Sequence, residues 1–332
     1  MAIPPSAPDA SSQRVVRIAI LDDYQRAAQD YFPLDDLSSV CQPELTIYTD
    51  HAETEDELVA RAGHAEVVVI MRERSPFPRR IIERLDHTKM IVTSGQRNAA
   101  IDTAAAREHG IVVTGTRGKD SAPAELTWAL LLAVVRRVPA EDAGIRSGSW
   151  GLHVGDTLAG KTLGIVGVGT IGREVARYGQ AFGMRVVAHS RSLTDTGAAL
   201  MGCDRGSLEM VLRESDVVSL HLRLVEATRH IIGGEELGFM KSSAYLVNTA
   251  RGGLVDEPAL VRALQTGKIR GAGLDVFETE PLPSDSPLRE LDNVVMTPHA
   301  GYVSRDRYAS YFGQAAENVR HYIEGTPIRP LP

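Results

Sequence analysis

At 332 residues the chain is about twice a typical single domain, which predicts two domains. Its 43% hydrophobic and 24% charged residues are the balance of a globular protein with a sizeable core, not of a disordered chain or a repeat fibre. A net charge of −7 supplies no field to draw the chain onto nucleic acid or acidic membranes. The two cysteines, Cys41 and Cys203, are too few and too distant for a disulfide framework or a zinc ribbon.

Residues 1–13 are biased to Pro, Ser and Ala and lack the basic and apolar regions of a signal peptide, so a disordered lead-in and a cytoplasmic protein are expected. The longest apolar run, Trp128–Val135, is too short to span a bilayer, and no membrane association is predicted. From Val15 the chain alternates β-branched runs with helical periods, the pattern of parallel α/β architecture. Strands are predicted at Val15–Leu21, Leu45–Tyr48, Val67–Met71, Met90–Thr93 and Ile111–Thr114. Helices are predicted from Thr54 to about His64, over Arg79–Leu85 and over Thr103–His109. These make one doubly wound sheet without a dinucleotide fingerprint.

A long helix from about Ala124 to Arg137 follows and is expected to stop at Pro139, with Trp128 as core packing. A second α/β series then runs through strands at Thr162–Val166, Arg185–Ala188, Val217–Leu222, Ala244–Asn248, Gly273–Val276 and Val294–Met296. Helices lie between them at Gly172–Phe182, Leu208–Arg213 and Pro258–Gln265. A final helix, about Arg305 to Ile323, carries Tyr308, Tyr311, Phe312, Ala315 and Val319 at helical spacing. Periodicity leaves open whether it returns to the first sheet.

Gly167-Val-Gly169-Thr-Ile-Gly172 fits G-x-G-x-x-G, and its place between a strand and an amphipathic helix raises it well above a chance glycine run. Gly167 suits the tight turn, Gly169 the close approach of a pyrophosphate, and Gly172 close packing of helix on strand. The next strand ends in Ser190-Arg191 where an acid would hold the adenosine ribose of NAD(H). A neutral Ser190 and a cationic Arg191 favour NADP(H) over NAD(H), unless Arg191 merely points to solvent.

Three further strands end in polar groups. Asn248-Thr249-Ala250-Arg251 follows one, Asp275-Val-Phe-Glu278-Thr-Glu280-Pro281 the next, and Thr297-Pro-His299 the last. Ligands bind at the carboxyl ends of strands in such sheets. An Arg can fork onto a carboxylate and its neighbouring carbonyl, and a His beside an acid can give or take a proton, a set that suits a 2-keto acid. The ten histidines show no i,i+4 pairing, and no metal is expected.

With these motifs the chain resembles the D-isomer-specific 2-hydroxyacid dehydrogenases, the family of phosphoglycerate dehydrogenase and hydroxypyruvate/glyoxylate reductase. The likeness extends over nearly everything after residue 14. It includes Ala124-Glu125-Leu126, Arg146-x-Gly148-x-Trp150, the Gly167 loop, Asp216-Val-Val-Ser-Leu-His221, Asn248-Thr-Ala-Arg251-Gly, Asp275-Val-Phe and Thr297-Pro-His299. The resemblance implies a flavodoxin-like substrate domain of residues 14–117 plus 302–332, with a Rossmann NAD(P)-binding domain of residues 118–301 inserted, both doubly wound parallel sheets. It implies that Arg251 holds the substrate carboxylate and carbonyl, that His299 exchanges the proton, and that Glu280, directly before Pro281, is its paired acid. It further implies that Thr170 and Ile171 lie on the pyrophosphate, that Asp275 and the Thr249–Arg251 backbone face the nicotinamide, and that the chain forms a homodimer through its cofactor domains.

Departures from the family pattern bear on the substrate. The loop expected to bind the substrate carboxylate is Gly95-Gln96-Arg97, with Arg97 where a second glycine is usual. That side chain either binds a second anionic group or folds back as a structural tie. Arg72 also follows a first-domain strand and is a further substrate-binding candidate, whereas Arg74 is expected as a solvated loop charge. The leading expectation is an oxidoreductase exchanging a hydride between NAD(P)H and a small 2-keto or D-2-hydroxy acid. The alternative is a nucleotide-sensing, dehydrogenase-like corepressor or binding protein.

Overall fold

The computed structural model describes residues 13–118 and 121–332. The rest of the expected lead-in, and Lys119 and Asp120 beside the expected domain boundary, lie outside the described residues. The described chain divides into two compact units, one of residues 13–118 with 304–332 and one of residues 121–303.

The first unit holds β1 (Val15–Ile20), β2 (Gln42–Ile47), β3 (Val67–Ile70), β4 (Met90–Thr93) and β5 (Val112–Gly115), in the order β2-β1-β3-β4-β5 and parallel throughout. Every residue of β3 and β4 is buried, as expected for strands covered by helices on both faces. The helix Glu55–Gly63 starts where Thr54 Oγ1 accepts the Glu57 amide at 3.2 Å. The final helix, Arg305–Ile323, packs on this sheet. Tyr311 donates its hydroxyl to Ile70 O at 2.7 Å, and Asn318 Nδ2 donates to Thr114 Oγ1 and Gly115 O at 3.1 and 2.9 Å. The return that helical spacing left open is therefore made by buried polar contacts as well as by the apolar face.

The second unit holds β6 (Thr162–Val166), β7 (Arg185–His189), β8 (Asp204–Arg205), β9 (Val217–Leu220), β10 (Tyr245–Asn248), β11 (Gly271–Leu274) and β12 (Val294–Met296). Its order is β12-β11-β10-β9-β6-β7-β8, again parallel, so the chain winds outward in both directions from the boundary between β6 and β9. Such a reversal opens a crevice at the strand carboxyl ends. With β8 only two residues long, no run of β-branched residues announces it in the sequence.

Pro139 does not end the helical segment. The helix Ala122–Arg136 closes at Arg137, whose φ of 57° is left-handed, and Pro139 then sits in the first turn of a second helix, Val138–Arg146. A first-turn proline costs a helix nothing, because its missing N–H would have no partner there. Trp128 is buried, stacks on Phe182 with centroids 4.6 Å apart, and donates Nε1–H to Val175 O at 3.3 Å. It joins the long helix to the helix Thr170–Ala181 that opens at the glycine loop. Among the described residues no helix is long and apolar enough to cross a membrane.

Candidate active site

Three glycines build the loop after β6, each for a different reason. Gly167 has φ +100°, and a Cβ there would lie 2.6 Å from His221 O at the end of β9, so the turn is tight and the approach across the crevice is close. A Cβ on Gly172 would lie 2.2 Å from Gly167 O, which lets the helix sit directly on the turn. A Cβ on Gly169 would meet nothing within 4 Å. Its lack of a side chain serves no packing need and leaves open space above the helix N-terminus. Gly169 is also the N-cap and supplies no side-chain acceptor to the first helical amides, around Thr170, Ile171 and Gly172. Free amides at a helix N-terminus with room above them fit a pyrophosphate. Ser190 and the exposed Arg191 follow the last residue of the neighbouring β7. Beneath the loop His221 Nε2 lies 2.9 Å from Ser219 Oγ, and burial pushes its imidazole down to about 4, so it is neutral there.

Adjacent strands β10, β11 and β12 then present the remaining groups. After β10, the buried Asn248 shapes the turn, for its Oδ1 accepts Ala250 N at 3.1 Å and its Nδ2 donates to Arg251 O at 2.9 Å. Sequence reading assigned Asn248 no role, although an Asn at a strand end is a turn signal in its own right. Arg251 follows as the N-cap of a short 3₁₀ turn, Gly252–Leu254, with Nη1 donating to Ala250 O at 2.6 Å. Thr249 Oγ1 is 2.7 Å from Thr127 Oγ1 on the long helix.

After β11, Asp275 is fully buried. Its carboxylate accepts Thr297 Oγ1 at 2.5 Å, Ala300 N at 2.7 Å and Gly301 N at 2.8 Å. Burial pushes this carboxyl up, against the Thr297 hydroxyl and the two amides that favour its charged form. The turn so held contains His299 at φ 52°, a left-handed conformation that a non-glycine residue keeps only under constraint. His299 Nδ1 lies 2.6 Å from Glu280 Oε2, while Glu280 Oε1 accepts Phe277 N at 2.9 Å. An ionised carboxylate only accepts, so the shared proton belongs to Nδ1, and Nε2 is the nitrogen left for an incoming oxygen. Glu278, two residues earlier, does not join this pair. Its Oε1 is instead 3.1 Å from His230 Nε2 and 3.4 Å from Arg229 Nη1.

In the five-stranded unit, Gly95 has φ +99°, and a Cβ there would lie 2.7 Å from Arg72 Nη1, so the glycine makes room for that guanidinium. Asn98 Nδ2 donates to Arg72 O at 2.6 Å, and Gln96 and Arg97 are exposed between these groups. Arg74 is a correction to the sequence reading, being buried rather than solvated. Its Nη1 donates to Asp22 O at 2.7 Å, and its guanidinium covers the Tyr24 ring at 4.4 Å. A cation with an aromatic face and a carbonyl to bind does not need water. Among the described residues no group of three or more His, Cys, Asp or Glu side chains could hold a metal ion.

The model for the D-isomer specific 2-hydroxyacid dehydrogenase, NAD binding domain, matches residues 128–301. A glyoxylate reductase of Aeropyrum pernix is 48% identical over 235 residues, 68% of this chain and 70% of that protein. A D-3-phosphoglycerate dehydrogenase of Methanocaldococcus jannaschii is 39% identical over 82% of this chain, but the match spans only 52% of that longer relative. The crystal structure of a phosphoglycerate oxidoreductase from Vibrio cholerae superposes with a TM-score of 0.88 at 36% identity, covering 93% of this chain and 99% of that one. The chain belongs to the D-isomer-specific 2-hydroxyacid dehydrogenase family and is an oxidoreductase that exchanges a hydride between a nicotinamide cofactor and a 2-keto or 2-hydroxy acid.

Proposed function

We propose that the protein reduces a small 2-keto acid with NADPH, using Arg251 to bind the substrate and His299, paired with Glu280, to protonate it. The observation that carries this reading is the 2.6 Å contact between His299 Nδ1 and Glu280 Oε2, made across the ends of adjacent strands. A bound nicotinamide supplies the hydride. Delivery to a keto carbon leaves negative charge on its oxygen, and His299 Nε2, its ring fixed through Nδ1, is the group to protonate that oxygen. Arg251 forks onto the carboxylate and polarises the carbonyl. Thr170, Ile171 and the three glycines hold the pyrophosphate, and Thr249–Arg251 with Asp275 shape the nicotinamide end. In this reading residues 118–301 are the cofactor domain, and residues 14–117 with 302–332 the substrate domain. Gly95, Gln96, Arg97 and Arg72 in the latter are further substrate-binding candidates.

The preference for NADPH rests on Ser190 and Arg191, which offer the ribose 2′-phosphate a cation and no repelling acid. A homodimer is supported by the exposed apolar residues Val138, Ile145, Trp150, Leu152 and Val154, gathered on one helix and the segment after it in the seven-stranded unit. The test is a panel of 2-keto acids, glyoxylate and hydroxypyruvate included, assayed with NADH and NADPH by nicotinamide absorbance, with light scattering on the same preparation. Turnover with NADPH ahead of NADH is expected, with the mass of two chains. Absence of turnover on every keto acid, with either cofactor, overturns the reading. At least tenfold higher kcat/KM with NADH overturns the cofactor preference alone.

A further inference from the structure

The loops that carry Arg251 and Glu280 touch through their backbones. A Cβ on Gly252 would lie 1.9 Å from Phe277 O and 2.5 Å from Glu278 N, so the residue after Arg251 lies flat on the peptide bond just ahead of Glu280. On its other side the same turn meets the segment that follows β9. His230 N donates to Gly253 O at 2.8 Å, and Ile232 N donates to Leu254 O at 3.1 Å. Gly253 fits beneath Arg229, whose Nη1 would be 3.4 Å from a Cβ at that position. The turn that fixes the Arg251 backbone is thus enclosed between two loops.

One side chain spans those loops. Glu278 reaches from the Glu280 loop to His230 Nε2 at 3.1 Å and to Arg229 Nη1 at 3.4 Å. His230 holds φ 52°, a left-handed backbone that aims its ring while its amide stays on Gly253 O. The Glu278 backbone is secured separately, because its N–H donates to Glu257 Oε2 at 3.1 Å. Removing the carboxylate charge therefore frees the clasp without freeing the loop.

We propose that Glu278 is a positioning residue for Arg251: by binding His230 and Arg229 it closes the two flanking loops on the Gly252–Leu254 turn and sets the angle at which the guanidinium meets the substrate. This rests on Arg251 being the substrate-binding group. The three clasp side chains are between about a third and a half exposed, at 35% for Glu278, 41% for His230 and 48% for Arg229. Ion pairs so exposed add little to stability. What they supply is orientation, since a small rotation of the Arg251 backbone becomes a large displacement at the far end of its long side chain, and displacements near 1 Å carry a steep cost in rate.

The test is Glu278→Gln, His230→Gln and the double variant, measured for keto-acid kcat and KM, for NADPH Kd by fluorescence, and for Tm. In Glu278→Gln, kcat/KM is expected to fall on the order of tenfold with KM raised, while NADPH Kd and Tm stay at wild-type values. Glu278→Asp recovers part of the loss, and the double variant loses no more than Glu278→Gln alone. Wild-type kinetics in Glu278→Gln, a matching loss of NADPH affinity or Tm, or additive losses in the double variant overturns the clasp. If Arg251→Ala abolishes substrate binding while Glu278→Gln is normal, the clasp fails and the reading of Arg251 stands. If Arg251→Ala leaves KM unchanged, both fail.

Discussion

At the end of β1 in the five-stranded unit, the buried Asp23 accepts the amides of Ala27 and Ala28 at 2.9 and 2.8 Å. At the end of β11 in the seven-stranded unit, the buried Asp275 accepts those of Ala300 and Gly301 at 2.7 and 2.8 Å. The device is the same, a buried carboxylate at a strand end ordering the chain that returns above it. The outcomes differ in what the ordered segment carries. Asp23 opens a one-turn helix, Ala28–Tyr31, whereas Asp275 holds the turn containing His299. Histidines beside carboxylates repeat the contrast. His51 Nδ1 lies 3.0 Å from Asp22 Oδ1, whose other oxygen accepts Ser75 Oγ at 2.7 Å, so that carboxylate ties three loops together. Glu280 meets His299 with one oxygen and a backbone amide with the other, which fixes the ring and leaves Nε2 uncommitted. Carboxylates order both strand-end surfaces, the first by tying loops together and the second by holding the His299 turn and its ring.

The largest effect that could break this contrast is in turnover. If His299 is the proton donor, His299→Ala lowers kcat by a factor on the order of 10² to 10⁴ with affinity for the nicotinamide cofactor little changed. His51→Ala should leave kcat within a factor of about two, since that ring serves a loop tie. Equal losses in steady-state assays of the two variants would mean that the histidine–carboxylate pairs share one role.

A smaller effect separates packing glycines from the one that leaves room for a ligand. Gly169→Ala meets no atom within 4 Å and should keep the wild-type Tm, yet weaken binding of the nicotinamide cofactor on the order of tenfold or more. Gly172→Ala places a Cβ 2.2 Å from Gly167 O and should lower Tm and affinity together. Fluorescence titration and thermal melts decide it. Unchanged affinity in Gly169→Ala would remove the pyrophosphate from that position.

The smallest effects concern pH. Burial lowers the His221 imidazole to about 4, so the unfolded chain binds the proton more readily. The seven-stranded unit should therefore lose stability as pH falls from about 6.5 towards 4. The hydrogen bond to Asp22 raises His51 instead. Its contribution is complete below about pH 6.5 and is lost as pH rises through the raised value, in the five-stranded unit. Tryptophan fluorescence reports the former, because Trp128 and Trp150 both lie in that unit, and hydrogen exchange of the β1 amides reports the latter. His221→Asn should flatten the acid limb of the fluorescence-detected unfolding and leave the β1 exchange unchanged. An acid limb as steep as in wild type would assign the instability to other groups.

Much of this was legible in the chain itself. The glycine loop could be read because a strand run precedes it and an amphipathic period follows; Arg251 and His299 each follow an apolar strand, and Glu280 was singled out only through the family resemblance, by its place before Pro281. Other features left no local signal. Nothing near Pro139 distinguishes a helix end from the first turn of the next helix, since both tolerate proline, and the left-handed Arg137 that decides it is not a glycine. Arg74 read as a loop charge because the Tyr24 ring and the Asp22 carbonyl that bury it come from another strand end, some fifty residues away. Nothing in the chain announced that Glu278, two residues before Glu280 after the same strand, would turn to His230 and Arg229.

Most strands and the longer helices could be read from the chain, because hydrophobic period, glycine placement and end caps act over a few residues and compete mainly with their neighbours, whereas β8 and the helix Val138–Arg146 could not. Strand order was decided by the tertiary structure. With it came the facts that matter at the site: that β10, β11 and β12 lie side by side, that Gly167 abuts His221, and that Asp275 is spent on holding the His299 turn rather than left open. These are contacts between segments tens of residues apart. They form only when parallel strands bury both faces under helices and every backbone and carboxylate group enclosed at their ends must find a partner.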